Sequence, residues 1–230
     1  AYIAEAVPSV GGQVVLPDGF LKAVYKTVRD AGGVCICDDV QTGLGRLGSV
    51  MWGFELGGVI PDIVVLGKPL GNGHPLAAVV TTQAIADSFG QQVEFFSTFG
   101  GNTVSCAVGV AVLDSLEADG LVANARSTGA TLKTGLQELK NRHALIGDVR
   151  GDGLFLGVEL VNDRETLAPA TRQAAYVTNR MRAHRVLIGT EGPHDNVLKI
   201  RPPMTFDATA ADHLLSRLDS VLAENLAQPA

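Results

Sequence analysis

Two uninterrupted apolar runs constrain the fold of this chain more than anything else in it. Val34-Cys35-Ile36-Cys37 and Ile63-Val64-Val65-Leu66 are rich in β-branched residues and carry no polar alternation. Runs of this kind are strands covered on both faces, as in a parallel sheet flanked by helices. An earlier strand is expected over Tyr2 to Val7, ended by Pro8-Ser9 and Gly11-Gly12. Pro17-Asp18-Gly19 then opens a helix with Asp18 as its cap, Phe20, Val24 and Val28 as its apolar stripe, and Gly32-Gly33 as its stop. Strand, helix and strand joined by short turns form a βαβ unit, so the first two strands should be parallel. The composition agrees: 46% of residues are apolar but only 5% aromatic, which suits an α/β sheet better than an aromatic-rich sandwich.

A third strand is expected over Asp62 to Gly67, and a fourth, antiparallel to it, over Leu76 to Thr82. Helices follow over Gln83 to Phe89, Val104 to Glu117 (Ala107, Val108, Ala111, Val112 and Leu116 inward) and Leu121 to Arg142 (Leu121, Ala125, Leu132, Leu136 and Leu139 inward). A chain of 230 residues accommodates one large or two modest domains, and Asp119-Gly120 marks the expected boundary, giving domains 1–119 and 120–230. Beyond it the pattern changes. Val149 to Gly153 leads to a half-exposed strand, Leu154 to Val161. An amphipathic helix follows over Pro169 to His184 through Ala174, Val177 and Met181. Short strands are expected over Val186 to Ile188 and Val197 to Ile200. The last helix runs from Ala208 to Leu226, with Asp207 as cap and Leu214, Leu215, Leu218 and Leu222 inward. This half reads as a small α+β domain.

The net charge of −6, with Lys and Arg scattered, argues against a nucleic-acid partner. No apolar run approaches the length that spans a bilayer, and no signal peptide is seen. Cys35, Cys37 and Cys106 form an odd set in apolar surroundings, which suits buried thiols in a reducing cytoplasm. The five histidines have no metal spacing.

Chemistry concentrates where strands meet loops. Lys68 follows the third strand inside a stretch restricted by Gly67, Pro69, Gly71, Gly73 and Pro75, so it is a candidate imine-forming nucleophile. Asp38 directly follows the second strand, where a carboxylate is costly unless something positive meets it. Ligands in open α/β sheets bind at the carboxyl ends of strands. A lysine and an aspartate there suggest pyridoxal phosphate, with the lysine on the aldehyde and the aspartate on the pyridine nitrogen. For the lysine to react it should be enclosed, near positive charge. Gly43-Leu44-Gly45-Arg46-Leu47-Gly48 has the dinucleotide-binding spacing, but it neither follows a strand directly nor opens a helix, so that reading is rejected. Thr98, in a loop of small and aromatic residues, is a candidate phosphate ligand, and Arg201, at the end of a strand before Pro202-Pro203, a candidate carboxylate or phosphate fork.

Three stretches together, Asp38 to Gly48, Pro61 to Gly73 and Ser97 to Asn102, closely resemble the class III aminotransferases of fold type I, in order and spacing, and the resemblance runs over the whole chain. It implies the carboxyl-terminal part of a PLP-dependent transferase fold, a mostly parallel sheet with helices on both faces, plus a small α+β domain. It implies that Lys68 carries the cofactor imine and shuttles the proton, Asp38 pairs with the pyridine nitrogen, Val40 packs under the ring and Gln41 reaches the ring hydroxyl. Thr98 would bind the cofactor phosphate of a partner subunit in a homodimer with shared sites, and Arg201 the substrate's acidic group. The substrates implied are an amine or amino acid and an oxo acid, in the cytoplasm.

The chain departs from the family in having Asp38-Asp39 for Asp-Glu, Thr103 for the Pro after the loop Asn, and no second glutamate near Val10, so the ω-amino-acid specificity tied to that glutamate is not expected. Gly71 to Pro75 and Gly192 to Met204 look most like the branch containing ethanolamine-phosphate phospho-lyase and alanine–glyoxylate aminotransferase 2, which leaves transamination and 1,2-elimination of phosphate both open. In the family, further segments precede the part resembled here and supply a phosphate-binding turn and an aromatic that stacks on the ring. Because Ala1 to Glu5 reads as a strand already under way, a last expectation is a catalytically incomplete fragment of a longer protein.

Overall fold

The computed structural model describes residues 1–224, which form two compact units. The first comprises Ala1–Ala6, Leu16–Gly45 and Val50–Gly120; the second comprises Val7–Val15, Arg46–Ser49 and the chain from Leu121 onward. The chain is α/β, and its first sheet is mostly parallel.

In the first unit, β1 (Tyr2–Glu5), β2 (Cys35–Asp38), β3 (Ile63–Leu66) and β4 (Ala78–Thr81) lie in that order. The first three are parallel, and β4 returns antiparallel to β3. The connection Gly67 to Ala77 is too short for a parallel crossover. Helix α1 (Phe20–Asp30) links β1 to β2. Its inward face is Leu21 and Tyr25 against Cys35, with Val24 and Val28 beside them, while Phe20 is exposed. The stripe is thus rotated from the expected one, because Leu21 and Tyr25 stack one turn apart and Tyr25 meets Tyr2 edge-on at 6.2 Å. Gly19, at φ 78°, caps this helix in place of Asp18.

Helix α2 (Gln83–Gln92) buries no residue. Helix α3 (Thr103–Ala118) starts at Asn102, whose side chain accepts from the Ser105 N–H at 2.9 Å. It buries Ser105, Gly109 and Leu116, whereas Ala107 and Ala111 are exposed, contrary to the expected face. Gly109 decides this. A side chain there would come within 2.7 Å of Leu76, so its absence lets the helix settle on the segment that follows Lys68. Cys106 is exposed on the same helix, while Cys35 and Cys37 are buried, so the expectation of buried thiols fails at Cys106.

The second unit holds β5 (Ile146–Asp152), β6 (Phe155–Leu160), β7 (Gly189–Glu191) and β8 (Val197–Ile200), in the order β5-β6-β8-β7, all neighbours antiparallel. Helices α4 (Leu121–Arg142), α5 (Thr171–Ala183) and α6 (Ala208–Leu222) complete its core, in which Leu132, Leu136, Leu156, Val158, Met181 and Leu218 are fully buried. The Asp207 side chain caps α6 through the Ala210 N–H at 2.8 Å.

Three expectations change here. β5 is a strand in its own right. β6 is buried along nearly its whole length, because Gln13 lies over Gly157 and covers the face that alternation had left open. The strand expected at Val186 to Ile188 sits instead at Gly189–Glu191, after the turn at Arg185, which has φ 64°. The expected helix end at Asn225 and Leu226 lies outside the described residues. Among the described residues no helix is long and apolar enough to cross a membrane.

Candidate active site

The first unit brings Asp38 and Lys68 to the same edge of its sheet. β2 and β3 are parallel, with Asp38 opposite Val65, so both strands end on one side. Asp38 is the last residue of β2, and Lys68 follows β3 by two residues. The ladder continues one step further, where the Asp39 N–H donates to the Val65 carbonyl at 3.0 Å. Asp38 bends back on itself, its Oδ1 accepting from the Val40 N–H at 3.1 Å. That short turn fixes the carboxylate at the strand end.

Val40 lies beside Gly67: a methyl added to Gly67 would touch the Val40 side chain at 3.7 and 3.8 Å. A half-buried Val40 next to a residue without a side chain leaves a smooth apolar surface directly before the lysine. Lys68 itself has φ 40°, in the left-handed region that a long side chain seldom occupies, and it opens a tight 3-10 turn, Lys68–Gly71. Backbone geometry, rather than enclosure, therefore sets its direction. The Lys68 side chain is exposed, against the expectation that neighbouring groups would wall it in.

Gln41 is half-buried and adjoins Val40. Thr98 lies in an exposed stretch, residues 91–104, four residues before the Asn102 cap of α3. Arg201 belongs to the second unit, where it is exposed directly after β8 and lines a cavity of about 850 Å3 with Lys199, Arg185 and His213.

Asp39, which stands where the family usually has Glu, has a structural part of its own. It is 1% exposed. Its Oδ1 accepts from the Thr42 hydroxyl at 2.5 Å, and the Gly53 N–H donates to Oδ1 and Oδ2 at 3.1 and 2.9 Å. Burial raises its pKa, opposed by the bonds from Thr42 and Gly53. It also helps burial push the Cys37 thiol up to about 12. The carboxylate thus clasps the two ends of the glycine-rich passage that follows Gln41. The glycines around it are the signal that was available in the sequence: a Cβ on Gly43 would sit 2.8 Å from the Asp39 carbonyl, and one on Gly53 would sit 2.6 Å from Asp39 Oδ1.

His74, in the loop after Lys68, meets the Ser105 hydroxyl at 2.7 Å, and Ser105 also receives the Asn102 amide at 2.9 Å. These bonds tie the Lys68 loop to the first turn of α3.

A shaped apolar surface, a fixed carboxylate and a lysine at adjacent strand ends can hold a planar, nitrogen-containing ring and present an amine to it. Comparison with known proteins gives the family. Residues 1–222 match the class III aminotransferase family. The chain is 50% identical to an alanine–glyoxylate aminotransferase 2-like protein of Drosophila melanogaster, over 99% of this chain and 47% of that protein. Among solved structures, a phospholyase from Arthrobacter in complex with phosphoethanolamine is similar at 43% identity and TM-score 0.94, over 96% of this chain and 53% of that one. An amine transaminase from an uncultivated Pseudomonas species, in its PLP-bound form, is similar at 35% identity and TM-score 0.88, over 97% of this chain and 52% of that one. The chain thus spans about half the length of the proteins it matches. Family match, fold and strand-end residues converge: this chain belongs to the class III aminotransferases.

Proposed function

We propose that this chain carries the reactive lysine of a pyridoxal-phosphate-dependent aminotransferase that moves an amino group between an amine or amino acid and an oxo acid. The observation that carries this is the placement of Asp38 and Lys68 at the ends of adjacent parallel strands, with Lys68 in a strained left-handed conformation. The residues fit that cofactor: the Val40 and Gly67 surface matches a flat ring, and the anchored Asp38 matches its protonated nitrogen. When bound, pyridoxal phosphate supplies an aldehyde that captures amines and a ring that absorbs the electron pair left by a departing proton. Asp38 holds a proton on the ring nitrogen. Val40 packs under the ring, and Gln41 hydrogen-bonds its hydroxyl. Lys68 Nζ removes a proton from the substrate carbon beside nitrogen and returns it elsewhere. Thr98 serves the cofactor phosphate of a partner subunit in a homodimer, and Arg201 receives the substrate's acidic group. Buried Cys35 and Cys37 suit a cytoplasmic setting.

A second reading, phospho-lyase, is favoured by the similarity to the phosphoethanolamine-bound Arthrobacter structure. Both reactions begin with the same loss of a proton, and a phosphate on the neighbouring carbon diverts it to elimination. For the 230 residues by themselves we propose little or no turnover. Val79, Val80, Phe95, Phe96 and Phe99 are more than half exposed, which leaves the apolar surroundings of the first unit uncovered.

The test uses the holoenzyme. Lys68→Ala should lose the visible absorbance of the lysine-bound cofactor, and unchanged absorbance would sink the proposal. Phosphoethanolamine then separates the two readings. Free phosphate without the amino form of the cofactor removes the transaminase assignment, and the amino form without phosphate removes the lyase.

A further inference from the structure

We propose that Arg46 is a positioning residue for the acid-group subsite, holding the backbone on which Arg201 stands and setting a second positive charge beside it. The inference rests on the reading of Arg201 as the substrate's acid-group partner.

The geometry begins with the ladder between β6 and β8. Leu156 pairs with Ile200 in antiparallel register. Two residues further along, Leu154 comes opposite Pro202. The ladder cannot continue there, because Pro202 and Pro203 have no N–H to give. Arg46 replaces the missing partner. Its Nη1 donates to the Leu154 carbonyl at 3.1 Å and to the Pro202 carbonyl at 2.8 Å, and its own carbonyl accepts from the Leu154 N–H at 3.0 Å. Arg201 therefore stands between Ile200, fixed by the ladder, and Pro202, fixed by Arg46.

The segment around Arg46 is itself held. A Cβ on Gly153 would come within 2.4 Å of the Leu47 backbone, and one on Gly48 within 2.5 Å of the Arg126 backbone, so only glycines allow this packing. Arg126 adds a hydrogen bond from Nε to the Gly48 carbonyl at 2.8 Å. A guanidinium mounted this firmly loses little freedom in holding the two carbonyls.

The electrostatics point the same way. The partners Arg46 has are neutral carbonyls, and no ion pair engages it among the described residues. Burial, and then the neighbouring Arg201, lower its pKa to about 10. An anion that reaches Arg201 also eases the repulsion that Arg46 feels from it. Lys199 lines the same cavity as Arg201, with its charge met by Glu191, so the positive charge there rests on Arg201, Arg185 and the nearby Arg46. The subsite thus suits a fully charged carboxylate or phosphonate on the substrate and disfavours an uncharged end.

The test measures dissociation constants of the holoenzyme for β-alanine, 2-aminoethylphosphonate and n-propylamine, read from the change in visible absorbance. These three amines share a chain length and differ at the far end. Arg46→Met keeps the aliphatic stem and removes the charge and both hydrogen bonds. The preference for the two acid-bearing amines over n-propylamine should fall about tenfold, and Arg46→Lys, which keeps the charge, should recover part of it. If Arg46→Met does not fold, Arg46→Lys alone should still lower the preference about threefold. Arg201→Ala separates two kinds of failure. Selective loss in Arg201→Ala with no selective loss in the Arg46 variants overturns the role of Arg46. No selective loss in Arg201→Ala, or no preference in the unaltered enzyme, overturns the underlying reading and the inference with it.

Discussion

Replacing Asp39 by alanine should destabilise the first unit by about 2–4 kcal/mol. Asp39 is almost fully buried and serves two donors, the Thr42 hydroxyl and the Gly53 N–H. A hydrogen bond to a charged group contributes about 1.5–3 kcal/mol net, so the two donors together account for about 3–6 kcal/mol. The cost of burying the carboxylate, seen in its raised pKa, offsets part of this and brings the estimate down. Asp39→Asn keeps the shape and one acceptor oxygen, so it should cost about 1 kcal/mol.

Chemical denaturation of the apoprotein measures these differences without the stabilisation that a bound cofactor adds. A second perturbation reaches the same clasp from the other side. A methyl on Gly53 would sit 2.4 Å from the Thr42 hydroxyl oxygen and 2.6 Å from Asp39 Oδ1, so Gly53→Ala should cost a similar amount. The double variant should lose clearly less than the sum of the two. The pH dependence supplies a further check. The folded-state pKa of Asp39 lies above its usual value of 3.8, so tighter proton binding favours the folded state in acid. That contribution is lost as pH rises through the window above 3.8. Asp39→Asn lacks this titration, so its deficit relative to the unaltered protein should shrink as pH rises there. A loss below about 1 kcal/mol in Asp39→Ala, or equal losses in the alanine and asparagine variants, would refute the clasp.

Two other outcomes follow from local geometry. Gly90 lies within α2, exposed, with open space where a side chain would go, so Gly90→Ala should stabilise by about 0.5–1 kcal/mol, measured by the same denaturation. Glu224 accepts from Arg180 Nε and Nη2 at 2.8 and 2.7 Å and from the Tyr176 hydroxyl. These bonds hold its carboxyl at about 2, below the usual 4.5, so its stabilisation is present above 4.5 and lost as pH falls towards 2. Glu224→Gln should flatten the acid limb of a stability profile across that window, and an unchanged limb would contradict the pairing.

What the sequence determined by itself is whatever rests on neighbours along the chain. The apolar runs at Cys35–Asp38 and Ile63–Leu66 do form strands, and the βαβ order makes the first pair parallel, but the cover expected on both faces is only partial: Ile36, Ile63, Val64 and Val65 are half-buried. The heptad-like stripe of α4 sets its limits at Leu121 and Arg142, and Asp207 caps α6 as its type and place require. Asp38 and Lys68 were legible as strand-end residues because their position depends on those runs alone. The tertiary structure decided whatever depends on distant chain. The clasp at Asp39 and the inward face of α3 follow from contacts with loops and glycines that no local period encodes. Gln13 reaches across the chain to cover Gly157, and Arg46 closes a ladder between Leu154 and Pro202, which stand 108 and 156 residues beyond it. Periodicity reports which side of an element is apolar. Only packing reports what lies against that side, because the partner's shape and its missing N–H groups belong to another part of the chain.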